Sequence, residues 1–499
     1  MRRRLATPRG LAAEARASKG PDPLDPSYPP KMTVQQSVPQ AITTSTPSHS
    51  LPLLWGPCIV TLLYLGGSLL LFKFGPVDWP VRNGGELWAF NALYLSMFLA
   101  GYAVALVLRK RWAADTPSAS SRAFTARFFW PIWLCAALVV LIGHRNLTLG
   151  PSYLPTTLFS DFVDGLVDPL GAYLYKLSDE AKGNFAGNPA LTLLFGVLAF
   201  SKLVLVHMLV AGWPALSRLK KLLGCLVALF PIASGVCVGT NKPVFDVAFM
   251  FAAILAANVF MAPSGGRLAF IGSRRALIAL TAGVFVFAGA YFQHTMNARA
   301  PGLGYAESLS STAGVVRLKP GFQSYCENAD EWTAKGCHLA SIGSIYLTQG
   351  YYGMSLSLDI PHETTYGLGH SKFILDTLKK YLGIDLAPRT FQHKIHGQWS
   401  ATGQWHSAYS QWANDVGFAG VGLVMLALGF YACAIWISAL ATHNAAAVCS
   451  IPLLATLIIF IPANNQVFNL FESLATFIVL FLAWVASLAI RPRARLRAS

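Results

Sequence analysis

Leu339-Ala-Ser-Ile-Gly-Ser-Ile-Tyr-Leu-Thr-Gln-Gly-Tyr-Tyr-Gly-Met-Ser-Leu-Ser-Leu358 runs for twenty residues without a charge. A bilayer core about 30 Å thick takes roughly 20 apolar residues per helix, so this stretch is long enough to cross. Whether it does decides the topology of everything after it. If it crossed alone, Arg491, Arg493, Arg495 and Arg497 would be forced to the side opposite the other basic clusters. Basic residues gather on one side of a membrane, so the stretch is expected to be a re-entrant or interfacial element. Irregular backbone is tolerated at depth where it lines a cavity.

On either side lie ten runs of spanning length: 53–75, 87–108, 128–144, 190–213, 221–239, 243–262, 276–293, 413–440, 446–463 and 468–490. The composition agrees: 54% of the 499 residues are hydrophobic and 12% charged, against roughly a quarter charged in soluble chains. With a cytoplasmic N-terminus, Arg109, Lys110, Arg111, Arg122 and Arg127 fall on the inner side, as do Arg218, Lys220, Lys221, Arg267, Arg274, Arg275 and the C-terminal arginines. The short outer segments 76–86 and 240–242 carry one basic residue each. The chain is therefore expected to be an all-α polytopic membrane protein of about ten transmembrane helices, with both termini in the cytoplasm. The net charge of +16 flanks the spans instead of forming one basic face, which argues against nucleic acid as a partner.

Five segments follow. Residues 1–50, rich in Pro, Ser and Thr, read as a disordered cytoplasmic tail without the apolar core of a signal peptide, and Met32 offers a second start. Spans one to seven occupy 51–293, a large outer loop 294–412, spans eight to ten 413–490, and a basic cytoplasmic tail 491–499. The loop holds seven of the eleven histidines. Within it, Phe373, Ile374, Leu378, Tyr381 and Leu382 share one helical face opposite Lys372, Asp376, Lys379 and Lys380, with Ser371 as N-cap and Gly383 as stop. That pattern predicts an amphipathic helix on the outer leaflet or on the bundle. Cys326 and Cys337 are the two cysteines in outer segments, where a disulfide can form. Cys58, Cys135, Cys225, Cys237, Cys433 and Cys449 fall in or beside spans and are expected to pack.

Most site chemistries find no support in the residues. His393 and His396 lack a nearby Cys or Glu and the helical His-Glu-x-x-His of hydrolytic zinc sites, so no metal is expected. There is no Gly-x-Ser-x-Gly elbow and no Walker loop, so neither a serine hydrolase nor a nucleotide cofactor is indicated. Gly367-Leu-Gly-His-Ser371 reads as a turn that sets His370 beside a helix N-terminus, where anions bind readily; a capped turn explains it equally. Lys242, Arg299, Arg317, Lys319, Arg389 and Lys394 lie near the outer face. Lys242, Arg299, Arg317 and Arg389 are candidates to clamp a lipid diphosphate, against the plainer reading of headgroup contact by snorkelling chains. Lys242 sits in a turn too short to need a charge.

Trp399, Trp405 and Trp412 suit either an interfacial aromatic belt or platforms for sugar rings. Extending span eight backwards through Trp405 would put Gln411 and Asp415 one turn apart, and His406 and Ser410 likewise. An ionisable residue such as Asp415 at a span entrance points to function, with helix capping as the competing explanation. Lys202 and Glu472 are among the few ionisable residues near span interiors.

Four segments together carry a family resemblance: Tyr346-Leu-Thr-Gln-Gly-Tyr-Tyr-Gly353, the Gly-His-Ser at 369–371, the Trp-x-Ser-x-Tyr-x-x-Trp-x-x-Asp-x-Gly-x-x-Gly run from Trp405 to Gly420, and Pro462-Ala-Asn-Asn-Gln466. The chain resembles the oligosaccharide repeat-unit polymerases, the Wzy-type O-antigen and exopolysaccharide polymerases, over roughly residues 55–490. The resemblance implies a metal-independent, GT-C-like glycosyltransferase of the bacterial inner membrane. Its substrates would be undecaprenyl-diphosphate-linked oligosaccharides at the periplasmic face, with membrane lipid and a chain-length regulator as partners. Relatives commonly place Arg where this chain has Lys242. On that reading His370, His406 or Asp415 orients or deprotonates the acceptor hydroxyl.

Three other readings share parts of this pattern. An O-antigen ligase has the same topology and diphosphate chemistry but a different acceptor. A transporter or flippase for a polysaccharide precursor would show internal repeats and broken helices with midplane charges, and no repeat is evident. A membrane scaffold would leave the cations idle.

Overall fold

The computed structural model describes residues 51–109, 121–150, 152–178, 188–262, 266–302 and 316–489, with side chains excluded at 121–123 and 299–302. The tails 1–50 and 491–499 and the Arg299 side chain lie outside the described residues. In chain order the bundle contains α1 (Leu51–Phe74), α2 (Gly84–Val107), α3 (Ser121–Thr148), the short α4 (Leu158–Val167) and α5 (Pro169–Leu177), then α6 (Pro189–Leu198) and α7 (Phe200–Gly212). It continues with α8 (Arg218–Cys237), α9 (Lys242–Met261), α10 (Arg267–Ser273) and α11 (Arg275–Gly302). The large loop contributes α12 (Pro320–Glu327), α13 (Glu331–Leu358), α14 (Lys372–Leu382) and α15 (Phe391–Lys394). Then come α16 (Ala408–Thr442), α17 (Ala445–Phe460) and α18 (Phe471–Ala489).

Among the described residues nine helical stretches are long and apolar enough to span a membrane. Ten were expected from the sequence. The tenth run corresponds to α17, whose 16 residues extend about 24 Å at 1.5 Å per residue, shorter than the other nine but still running the length between the two ends of the bundle. It starts just after α16 ends at Thr442, and at its far end the Ile461 carbonyl accepts from the Ala408 amide at the start of α16 (2.9 Å). The sheet among the described residues is one ladder, β1 (Val77–Asp78) with β2 (Arg317–Leu318), antiparallel with Val77 opposite Leu318 and Asp78 opposite Arg317.

The bundle centre is a close crossing of α2 and α16. A side chain at Gly101 would overlap the Leu426 carbonyl, and one at Gly429 the Phe98 carbonyl. Small residues let backbones approach where lipid tails leave no hydrophobic drive between helices. Buried tyrosines bridge the same region: Tyr94 donates to the Phe418 carbonyl (2.7 Å) and Tyr102 to the Leu54 carbonyl (2.6 Å).

The charge-free stretch from Leu339 to Leu358 lies in α13, a continuous helix of 28 residues capped by Asp330. It is neither irregular nor one of the nine spans. Because a helix pairs its own amides, it can be buried without the broken backbone of a re-entrant element. Residues Thr348 to Ser357 are all buried. Tyr351 meets Ser68 (2.9 Å), Trp79 donates to Thr348 (3.2 Å), and Asn83 donates to the Ser355 carbonyl (2.6 Å). The chain leading into α13 is tied to the same α1–α2 connection, through β2 and through Lys319 on the Lys73 carbonyl (2.8 Å). Cys326 and Cys337 are joined as a disulfide, Cα–Cα 5.9 Å, linking α12 to α13. These contacts hold α13 against the loop end of the bundle.

The amphipathic helix forms between the residues read for it. Ser371 accepts from the Ile374 amide, and Gly383 adopts a left-handed φ of 68°. Phe373 stacks on Phe471 at 4.6 Å, while Lys372, Asp376, Lys379 and Lys380 are exposed. Tyr381 and Leu382 are exposed as well, 59% and 66%, so the apolar face is covered only at its first turns.

Candidate functional site

Asp415 and His370 form the centre of the site. Gly417 has φ 68° and ψ 165°, a conformation open essentially to glycine alone, and it interrupts α16. The interruption leaves carbonyls near it available to the loop. The Asn414 carbonyl takes the Thr365 amide (3.0 Å), and the Asp415 carbonyl takes the Thr364 hydroxyl (3.0 Å). Residues 364–370 are thereby strung over the broken turn.

The Asp415 carboxylate accepts four bonds from that loop: Thr365 hydroxyl (2.5 Å), Gly369 amide (2.8 Å), His370 amide (3.1 Å) and His370 Nδ1 (2.9 Å). A side chain at Gly369 would overlap Thr365 and Asn414, so the residue must be small for the loop to close. The Asp415 side chain is 7% exposed and that of His370 25%. An ionised carboxylate can only accept, so Nδ1 is the donor to Asp415, and in the neutral ring this tautomer leaves the Nε2 lone pair free for a ligand.

The ring is held from other sides too. Phe468 packs edge-on at 5.6 Å, and Asn465 donates to the His370 carbonyl (3.1 Å). Asn414 donates to the Gly369 carbonyl (3.0 Å), and Ser371 to the Phe468 carbonyl (2.5 Å). Nearby, Gln411 and Asn469 bond each other (3.0 Å) and both reach Asn464. Segment 346–353 packs on the start of α16: Gln349 accepts from the Trp405 amide (3.3 Å), and Gly350 lies so close to Ser407 and Pro462 that a side chain would overlap them. Segments 369–371, 405–420 and 462–466 thus meet around the dyad, and 346–353 joins them at Ser407 and Pro462, about two turns of α16 from Asp415.

From His370 and Asp415 an apolar groove of about 780 Å³ runs between α16 and α18, walled by Trp412, Phe430, Tyr431, Phe477, Phe481 and Trp484. On α16 it reaches from Asp415 to Tyr431, about 24 Å at 1.5 Å per residue. It is a hydrocarbon-lined channel with a polar head.

The other expected residues are dispersed. Arg389 is near the head: its Nη1 donates to the Tyr366 hydroxyl (3.1 Å) and its guanidinium lies over that ring at 5.4 Å. Tyr366 itself has φ 59°, strained for an aromatic residue. Arg317 is on β2 opposite Asp78. Lys242 begins α9 and pairs with Asp246 (2.5 Å), in a cavity of about 450 Å³ that also holds the Lys202–Glu472 pair (3.3 Å). Among the described residues no contact joins the expected clamp residues: Lys242 pairs with Asp246, Arg389 with Tyr366, and Arg317 is exposed on β2.

His406 and Trp399 require correction. Ser407 is the N-cap of α16, so His406 lies outside the helix and does not stack over Ser410. It is 3% exposed, with Nε2 on the Ser400 carbonyl (3.1 Å) and Nδ1 buried without a hydrogen-bond partner. Burial pushes its imidazole down to about 4, so the ring is neutral and enclosed by protein instead of lining the groove. Trp399 is fully buried against Trp79 and Tyr352 with its indole N–H on the Trp405 carbonyl (3.0 Å), which leaves no face for a sugar. Trp405 is half-buried, edge-on to Tyr346 at 4.8 Å, and Trp412 walls the groove.

Sequence reading missed Thr365, Asn414 and Gly417 as the parts that fix the dyad. A glycine two residues after a carboxylate at a span entrance was the available signal. Comparison with protein-family models, curated proteins and solved structures returns no match to this chain.

Proposed function

We propose that this protein is a membrane glycosyltransferase that polymerises undecaprenyl-diphosphate-linked oligosaccharide repeat units. The observation that carries the reading is the His370–Asp415 dyad at the head of a hydrocarbon-lined groove. That arrangement suits a substrate with a reactive polar head on a long lipid tail. The contacts that link the four resembling segments, three of them at the dyad itself, support the same reading.

In the mechanism we propose, the lipid tail lies in the groove and its diphosphate-linked sugar faces His370. Nε2 takes the proton of the acceptor hydroxyl as its oxygen bonds to the anomeric carbon. The bond from that carbon to the diphosphate oxygen breaks, and the lipid diphosphate leaves with the electron pair. Asp415 orients the ring and stabilises the imidazolium, as a carboxylate does behind a general base. Arg389, next to the loop that carries the dyad, is placed to offset charge on the departing diphosphate. The bond energy of the diphosphate linkage drives transfer, so the proposed reaction requires no nucleotide or other cofactor.

The GT-C-like class, the periplasmic placement of the loop end and the cytoplasmic placement of both termini belong to the same proposal, supported by the basic residues at the other ends of the spans. A chain-length regulator is the expected protein partner. Deletion followed by glycan analysis tests it. Single repeat units accumulating on lipid are expected. Long lipid-linked polymer that fails to reach its final acceptor would instead assign a ligase, and unchanged glycans would refute the reading.

A further inference from the structure

The second cavity differs in kind from the groove. It lies between the loop ends of α3, α8, α9 and α18, with Lys202 of α7 on its wall. Two ion pairs face it, Lys202 with Glu472 and Lys242 with Asp246, and the rest of the lining is largely apolar: Val140, Phe195, Val247, Leu470 and Phe471 among others. The same four charged residues and Met250 also line a smaller cavity of about 110 Å³. The charges are not sealed in: their side chains are 28–29% exposed in the first pair and 41–43% in the second.

Lys242 is poorly placed to stabilise its helix, because its i,i+4 pair with Asp246 runs in the weaker orientation, cation before acid. A cation at the first position of a helix opposes the macrodipole, where an acid is favoured. The charges also balance, two cations against two carboxylates. A lone anion such as a diphosphate would pull the lysines from their partners and confront two carboxylates, and a lone cation would meet the reverse. An uncharged apolar ligand would strip water from all four. A ligand carrying both signs exchanges each internal pair for an external one at no net cost in charge.

We propose that this cavity binds the headgroup of a zwitterionic phospholipid bearing a primary amine, of which phosphatidylethanolamine is the simplest. The phosphate bridges Lys202 and Lys242, and the ammonium sits between Asp246 and Glu472. Its three N–H donors match carboxylate acceptors, which a quaternary choline cannot do. The apolar wall takes the start of the acyl chains. This assignment does not depend on the glycosyl-transfer reading.

The test is native mass spectrometry of the full-length protein in detergent with equimolar phosphatidylethanolamine, phosphatidylglycerol and phosphatidylcholine of identical acyl chains. Wild-type protein is expected to retain the ethanolamine lipid at least about fivefold over either of the others. Equal retention of phosphatidylglycerol would overturn the proposal without any variant. The Asp246→Asn/Glu472→Gln protein keeps both lysines and is expected to transfer its preference to phosphatidylglycerol; an unchanged preference would also overturn it. Should that variant not fold, Lys202→Met/Glu472→Met removes one pair with no change of net charge, and the preference is expected to fall to within about twofold. Soluble phosphoethanolamine at the same concentration is expected to leave the bound lipid in place, and displacement by it would refute a lipid as the ligand.

Discussion

Replacing Asp415 by Asn changes one atom's chemistry and leaves the shape of the site intact. In the wild type one carboxylate oxygen serves the Thr365 hydroxyl and the Gly369 amide, and the other serves the His370 amide and Nδ1. An asparagine can keep its oxygen toward Thr365 and Gly369, but its NH2 then points at two donors of His370. Two charge-assisted bonds at about 1.5–3 kcal/mol each are lost, which loosens the loop by about 3–6 kcal/mol. The ring can escape the clash only by turning or by moving its proton to Nε2, which removes the base. Where an amide behind a catalytic imidazole fixes the wrong tautomer, the rate falls roughly 10⁴-fold. The assay pairs glycan chain length in cells carrying Asp415→Asn with hydrogen–deuterium exchange of residues 364–371 in the purified protein. Collapse to single repeat units and faster exchange at this loop are expected. Chain lengths like the wild type, with exchange unchanged, would refute the argument that Asp415 positions His370.

Three other outcomes follow from the same structure. Gly417→Ala forces a Cβ into a glycine-only conformation, at a cost of about 1–3 kcal/mol; a lower thermal midpoint and shortened glycans are expected, with Gly422→Ala as a control away from the break. His406 is held neutral by burial, with its pKa down at about 4. The unfolded chain takes up that proton below about pH 6.5, so the stability is complete above that value and falls as pH drops, with about 3 kcal/mol gone by pH 4. Melting curves from pH 7.5 to 4.5 should therefore show an acid limb that flattens in His406→Gln, and an equal slope in both proteins would count against it. The Cys326–Cys337 disulfide closes a loop with a sequence separation of 11; its reduction is expected to cost about 3 kcal/mol in the chain-entropy picture, read as a drop in melting temperature that Cys326→Ser/Cys337→Ser reproduces and reductant no longer deepens.

The fold was largely legible because lipid imposes one rule on every span, a run of apolar residues with basic ends, and those runs can be read locally. The α14 helix was legible for the same reason: Ser371, Gly383 and the spacing of Phe373 and Leu378 are all within one segment. The site was harder because its pairings cross long separations. His370 and Asp415 could be named as candidates, but their contact depends on the break at Gly417, which no helical periodicity reveals. His406 was misplaced because the apolar pattern does not mark the start of α16, whereas the Ser407 cap does. Trp399 resembles an interfacial tryptophan in sequence, yet α13 and the α1–α2 connection close over it. The cations were legible as charges near one end of the bundle, but not as separate pairs, because Lys202 meets Glu472 across 270 residues.

The central claim is that His370 deprotonates an acceptor at the head of a lipid groove. It is tested most directly by reconstituting the purified protein in vesicles with a lipid-diphosphate-linked repeat unit and resolving the products by length. A ladder of extended products is expected from the wild type, and unextended substrate from His370→Gln at equal protein. A wild type that leaves the substrate unextended, or a His370→Gln protein that extends it at the wild-type rate, would contradict the claim.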